Sequence, residues 1–361
     1  MAEKKGALLK KEISLGRVSL TDRALFAKHL AVMLKSGVPI TEALATAADA
    51  ASGKLKKTVE AVLESVESGR SLSAAFADYP NIFSGLFVQA TYAGEVSGTL
   101  VENLENVALQ LEKEKELVMK IRGAMLYPAI ILTAAFVLGL AMAFLVLPKI
   151  MTLFEGLHTK LPFTTQMLIS FSHYIDQYGI RLFIGIVVGF FVLVWLTRQK
   201  FSRPVTHGIM LYAPIVSAMS RASNNARFAR TLGTLLKSGI GIGEALDITQ
   251  NAVGNYYYKN AIAAAACRVS KGEKLAESLS DFGNLFPKIV TRMIKVGEES
   301  GRLEDGLFYL ADFYEAEVDT ATKSLSTAIE PLLLLVIGLI VLWLALAIIT
   351  PIYEFTGNIR Q

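Results

Sequence analysis

Residues 93–100 read AGEVSGTL, and residues 296–303 read VGEESGRL. A chain that writes the same glycine-glutamate turn twice is built from two copies of one unit, and the likeness extends outward from the turn in both directions. ALFAKHLAVMLKSGVPITEAL (24–44) matches ARFARTLGTLLKSGIGIGEAL (226–246) at 12 of 21 positions with an offset of 202. One extra residue in the second copy raises the offset to 203, which pairs Gly69 with Gly272, Leu72 with Leu275 and Phe83 with Phe286. Within the turn, Gly94, Glu95, Ser97, Gly98 and Leu100 pair with Gly297, Glu298, Ser300, Gly301 and Leu303. The same offset pairs Pro128 with Pro331 and Pro148 with Pro351, so each copy includes the apolar stretch behind it.

The copies read as helices. In DRALFAKHLAVMLKSG the residues Leu25, Phe26, His29, Leu30, Met33 and Leu34 recur at three and four, with Ser36-Gly37 as a stop. TEALATAADAA follows as a short Ala-rich helix, and Leu55, Val59, Val62, Leu63 and Val66 mark another that ends at Gly69. Ser71 is placed to cap LSAAFAD, Pro80 breaks the chain, and FSGLFVQATYAG resumes it. Beyond Gly98 the pattern Leu100, Leu104, Val107, Leu111, Leu117, Ile121 runs without a stop into an apolar segment. That makes about six helices per copy and no convincing strand.

Apolar residues form 53% of the 361, and the mean hydropathy is +0.45, which points to membrane spans. A span needs about 20 residues. Three stretches qualify: 125–147, 180–197 and 331–350, none with an ionisable group in its apolar core. The opening MAEKKGALLKKE has no apolar run or small-residue cleavage site and does not read as a secretory signal. The expected fold is therefore an all-α membrane protein, two homologous six-helix cytoplasmic bundles plus three transmembrane helices. In order, these are a lead (1–20), the first helical repeat (21–124), a span (125–147), an outer loop (148–179), a span (180–197), a cytoplasmic connector (198–223), the second repeat (224–330), a span (331–350) and an outer tail (351–361). Near the span ends, eight basic residues flank the repeat side, Lys113, Lys115, Lys120, Arg122, Arg198, Lys200, Arg203 and Lys323, against four on the other, Lys149, Lys160, Arg181 and Arg360. This excess puts the repeats and the N-terminus in the cytoplasm and the C-terminus outside.

Chemistry is sparse. No phosphate-binding G-x-x-x-x-G-K-[ST], G-x-S-x-G or H-E-x-x-H run occurs. His29, His158, His173 and His207 are scattered without metal-ligand spacing, so neither a catalytic, a metal nor a cofactor site is expected. A net charge of +4 makes no case for nucleic acid. The single Cys267, in an apolar run, is expected to be a buried structural thiol. The acid pairs Glu298-Glu299 and Glu304-Asp305 read as a solvated face. Gly139 with Ala143, and Gly185 with Gly189, have the small-residue spacing that lets membrane helices approach, either within the chain or between two copies of it.

The turn itself reads as a compact reversal. The first glycine (Gly94, Gly297) would end a helix at positive φ, the serine (Ser97, Ser300) would cap the next, and the second glycine (Gly98, Gly301) would allow close approach. Joining two helices does not oblige a glutamate. Glu95 and Glu298 are placed either to accept free amides of the following helix or to meet a basic partner.

The paired F-A-[KR]-x-L-x-x-x-L-K-S-G-x-x-I-x-E-A-L and G-E-x-S-G-x-L motifs, each followed by a segment with proline at its start, resemble the type II secretion F protein family over about Thr21 to Tyr353. The resemblance implies a non-enzymatic platform in the bacterial inner membrane, in a type IV pilus or type II secretion machine. Its implied partners are a cytoplasmic hexameric ATPase, pilin or pseudopilin subunits, other inner-membrane assembly proteins and further copies of itself. A transporter or channel, the competing class, would instead need polar groups or broken helices at mid-membrane.

Overall fold

A computed structural model describes residues 18–141, 163–213 and 216–358. Among them every regular element is helical. The first copy gives α1 (Leu20–Lys35), α2 (Ile40–Ala50), α3 (Gly53–Glu67), α4 (Leu72–Ala77), α5 (Gly85–Ser97) and α6 (Leu100–Ala141). Next come α7 (Phe163–Arg198), a 3-10 turn (Lys200–Ser202) and α8 (Arg203–Tyr212). The second copy gives α9 (Ser217–Lys237), α10 (Ile242–Ala252), α11 (Tyr256–Val269), α12 (Leu275–Ser280), α13 (Lys288–Ser300) and α14 (Leu303–Asn358).

The helices confirm the duplication. α2 and α10 start 202 residues apart, whereas α3 and α11, and every later pair, start 203 apart. The extra residue therefore sits in the connection before α11. Residues 1–119 and 219–318 belong to one compact unit, so the helices of the two copies pack as a single body and not as two separate bundles. Residues 120–218 and 319–361 form the second unit.

Burial follows the amphipathic pattern with one shift. On α1 the inward face is Ala24, Phe26, Ala27, Leu30 and Ala31, while Leu25 and His29 are exposed. Phe26 and Leu30 point inward as expected, and Ala24, Ala27 and Ala31 complete the face in place of Leu25 and His29. Phe26, Phe76, Phe83 and Phe87 build the first core, with ring centroids 4.3 to 6.3 Å apart. The second core keeps Phe228 and Phe286 at the positions of Phe26 and Phe83, and sets the fully buried Tyr258 where the first copy has Leu55. Bulk is redistributed, with Leu279 and Val290 standing where the first copy has Phe76 and Phe87.

The helices run without a stop into the apolar segments, as their sequence pattern predicts. α6 runs on through Pro128, and α14 runs 56 residues through Pro331 and Pro351. Residues 163–179, expected as loop, are helix continuous with 180–198, since Phe163 to Tyr178 contains neither glycine nor proline to break it. Among the described residues one helical stretch, Leu100–Gly139, is long and apolar enough to cross a membrane. Met125, Leu126, Ile130, Phe136, Val137 and Leu138 are exposed along it. Cys267 is exposed, which corrects the expectation of a buried thiol: in α11 the inward positions are Ala261, Ile262, Ala265 and Ala266, and Cys267 falls on the outer face.

Candidate functional site: the paired turns and the polar seam

Each turn begins inside a helix. Gly94 lies within α5 and is buried, and Gly98 is the residue that leaves the helix, at φ +75°. A Cβ on Gly94 would stand 2.7 Å from the Cα of Leu100, so this glycine is what permits α6 to fold back against α5. A Cβ on Gly98 would meet nothing within 4 Å. The expected roles are thus exchanged, and the second copy agrees: Gly301 has φ +69°, and a Cβ on Gly297 would lie 2.8 Å from the Cα of Leu303. Positive φ is needed where the helix stops, and close contact one turn earlier, where the two axes cross.

Ser97 does not cap the next helix. It is the last residue of α5, and its hydroxyl donates to the Ala93 carbonyl at 2.6 Å. Ser300 likewise closes α13, with its hydroxyl 3.4 Å from the Gly297 carbonyl.

The glutamates point backward along the chain. The Glu95 carboxylate accepts the main-chain N–H of Leu72 at 2.6 Å and of Ser73 at 3.2 Å, and also the Ser73 hydroxyl. Glu298 accepts from Leu275 at 2.6 Å and Ala276 at 3.1 Å. Both acids therefore cap the short helix that precedes their own, α4 or α12, where the free amides and the helix dipole favour negative charge. In the first copy Ser71 adds a bond from the Ala74 N–H at 3.3 Å, as its position predicts. Lys274, at the matching place, offers no side-chain cap. Glu298 is accordingly half-buried rather than part of a solvated pair, whereas its neighbour Glu299 is exposed. Asp305 follows the solvated reading and pairs with Arg302 at 2.6 Å.

A polar seam joins the copies inside the first unit. From α6, Gln110 donates to Thr231 at 3.3 Å, and both are buried. Arg230, 7% exposed, pairs with Glu315 at 2.8 Å and also with Asp312. Burial opposes the charge on Arg230, but the hydrogen bonds to Asp312 and Glu315 outweigh it and hold the guanidinium above its ordinary value. Lys113 of α6 approaches the same Glu315 at 3.8 Å. Deeper in the second copy, the Tyr258 hydroxyl donates to the Leu285 carbonyl at 2.7 Å and accepts from Asn225. Burial raises its pKa well above the ordinary phenol value. None of the seam residues was singled out from sequence, apart from Lys113 as a topology marker. Gln110 and Thr231 are 121 residues apart and Arg230 and Glu315 are 85 apart, and no local motif announces either pair.

The other small-residue positions are not brought together. A Cβ on Gly139, Gly185 or Gly189 would meet nothing within 4 Å, and Ala143 lies outside the described residues. Among the described residues no group of three or more potential metal ligands occurs.

Fold and site together define an all-helical scaffold with an internal duplication, whose recurrent acids hold its own helices in place. The family model for type II secretion system (T2SS), protein F matches residues 26–148 and 228–351, one match per copy. The chain belongs to that family. It is 36% identical to a type IV pilus assembly protein PilC of Thermus thermophilus, covering 94% of this chain and 84% of that one. It is 33% identical to the PilC of Myxococcus xanthus, over 96% and 83%. It is 32% identical to the type II secretion system protein F of Aeromonas hydrophila, over 95% and 88%.

Proposed function

We propose that this chain is the inner-membrane platform of a type IV pilus or type II secretion machine. Three spans, at about 125–147, 180–197 and 331–350, cross the membrane, and the two six-helix repeats face the cytoplasm with the N-terminus. The repeats receive motion from a separate hexameric ATPase and pass it to pilin or pseudopilin subunits leaving the bilayer. The chain itself catalyses no reaction. It works beside other inner-membrane assembly proteins and further copies of itself.

One observation supports this most directly. α6 and α14 each extend from a packed repeat into an apolar stretch without a break. At about 1.5 Å per residue these rods are about 63 and 84 Å long. A continuous helix that begins in one environment and ends in the other conveys displacement through packing, with no need for ion flow. Lys120 of α6 and Asp319 of α14 are paired at 2.9 Å, which links the two rods to each other.

The test is capture of the machine's ATPase by the detergent-solubilised protein, with full-length pilin as second bait. Binding of either supports the platform. If neither binds and reconstituted vesicles show solute flux, a transporter replaces it.

A further inference from the structure

α8 has an apolar face that stays bare among the described residues. Phe201 is 90% exposed, Tyr212 72%, Val205 65% and Ile209 61%. At 100° per residue, Val205, Ile209 and Tyr212 fall on one side of the helix, and the exposed Phe201 precedes them in the 3-10 turn. Leu211 on the other side is buried. Three large side chains aligned and bare, with an exposed phenylalanine just before them, are not the scattered apolar exposure of an ordinary surface.

The position of this face is fixed. Only Gln199 and the 3-10 turn Lys200–Ser202 separate the end of α7 from the start of α8. The Ser202 hydroxyl donates to the carbonyl of Leu196, and the Ser202 N–H to that of Gln199 at 3.2 Å, which ties the turn to the end of α7. Phe191, Leu193, Trp195 and Leu196 are themselves exposed apolar residues of α7. The bare face of α8 therefore begins where that apolar helix ends.

Charge identifies the occupant. Arg198, Lys200 and Arg203 stand at this junction, and no aspartate or glutamate occurs from residue 177 to 243. An apolar helix face flanked by cations and aromatic residues, directly after an apolar helix, has the chemistry that binds the headgroup layer of an anionic bilayer. We infer that α8 lies in the membrane surface, its Val205–Tyr212 face among the upper acyl chains and its basic flank against anionic headgroups. This rests on the reading that α7 spans the membrane. α8 then acts as a float that sets the depth at which the second copy leaves the bilayer.

The test uses the full chain in nanodiscs of phosphatidylethanolamine and phosphatidylglycerol, with Cys267→Ala to remove the exposed native thiol. Single cysteines replacing Ile209, His207 or Val188 carry a fluorophore, and lipids spin-labelled at a shallow or deep position quench it. The expected result is loss of Ile209 fluorescence with the shallow quencher, little loss at His207, and loss at Val188 with the deep quencher. Quenching at Ile209 no greater than at His207, with Val188 still quenched, overturns the surface helix and leaves the span intact. Disulfide-linked pairs at Ile209 in that case would assign the face to a second copy. An unquenched Val188 would overturn the span, and the inference with it. The variant R198Q/K200Q/R203Q should reduce Ile209 quenching in these discs to the level in neutral phosphatidylcholine. No reduction would refute the role of anionic lipid.

Discussion

The Glu298 carboxylate stands 2.6 Å from the main-chain nitrogen of Leu275, the distance that Glu95 keeps to Leu72 in the other copy. A glutamate that recurs within the turn thus acts 23 residues upstream, on the start of a six-residue helix. Short helices gain little from their own hydrogen bonds, and their capping decides whether they persist. Glu298→Ala should cost about 1–2 kcal/mol, the usual loss for a charge-assisted cap. Glu95→Ala leaves Ser71 capping Ala74 and should cost α4 less of its N-terminal order. Chemical denaturation of the solubilised chain measures the first effect, and amide exchange at residues 72–75 and 275–278 the second. Unchanged exchange at both sites would return these acids to a partner.

The two glycines of each turn should respond differently to one methyl group. Gly94→Ala drives a Cβ to within 2.7 Å of backbone at Leu100, which the side chains cannot relieve, and should cost about 3 kcal/mol or prevent folding. Gly98→Ala meets open space and carries only the left-handed strain, about 1–2 kcal/mol. Gly98→Asn should be milder still. Equal melting temperatures for the Gly94 and Gly98 variants would contradict this geometry.

Within the seam, Arg230→Leu leaves the half-buried Glu315 without its main partner and should destabilise by about 2 kcal/mol. Lys120→Gln, which breaks an exposed pair with Asp319, should change stability by less than about 1 kcal/mol. A double-mutant cycle between Arg230 and Glu315 that gave no coupling would refute the assignment.

The imidazole of His207 is held below its ordinary value of 6.5 by burial and by the nearby Arg203. The folded chain therefore disfavours protonating it, while the unfolded chain takes up the proton near 6.5. Its contribution is unperturbed above that pH and destabilises progressively as pH falls through 6.5 toward the folded value. The melting temperature of the wild type should accordingly drop more than that of His207→Gln between pH 8 and pH 5. Parallel curves would exclude the effect.

The duplication, the helix count and the stop-free approach to the membrane were legible because each leaves a local trace. Leu104, Val107, Leu111 and Leu117 are buried as their spacing requires. The turn was legible as a turn, but not in its parts. In G-x-x-x-G either glycine could be the one that breaks the helix, and only the contact with Leu100 shows which one the crossing needs. For Glu95 the sequence offered the amides of the following helix or a basic partner, whereas the packing of α4 on α5 brings the earlier amides of Leu72 and Ser73 to it. Arg230 and Glu315 are 85 residues apart, and nothing in either neighbourhood marks them as a pair.

Pro128 and Pro331 lie inside α6 and α14, each 28 residues beyond the leucine that opens its helix. A proline there cannot donate to the carbonyl four residues back, at Ala124 or Thr327, and its ring presses on that turn. Each rod is thus stiff for about 42 Å and then meets a point of lower bending resistance. Because duplication copied the joint with the rod, both arms yield at the same distance from their turns. In each copy the bending point thus falls at the same register, 28 residues past the first leucine of its helix.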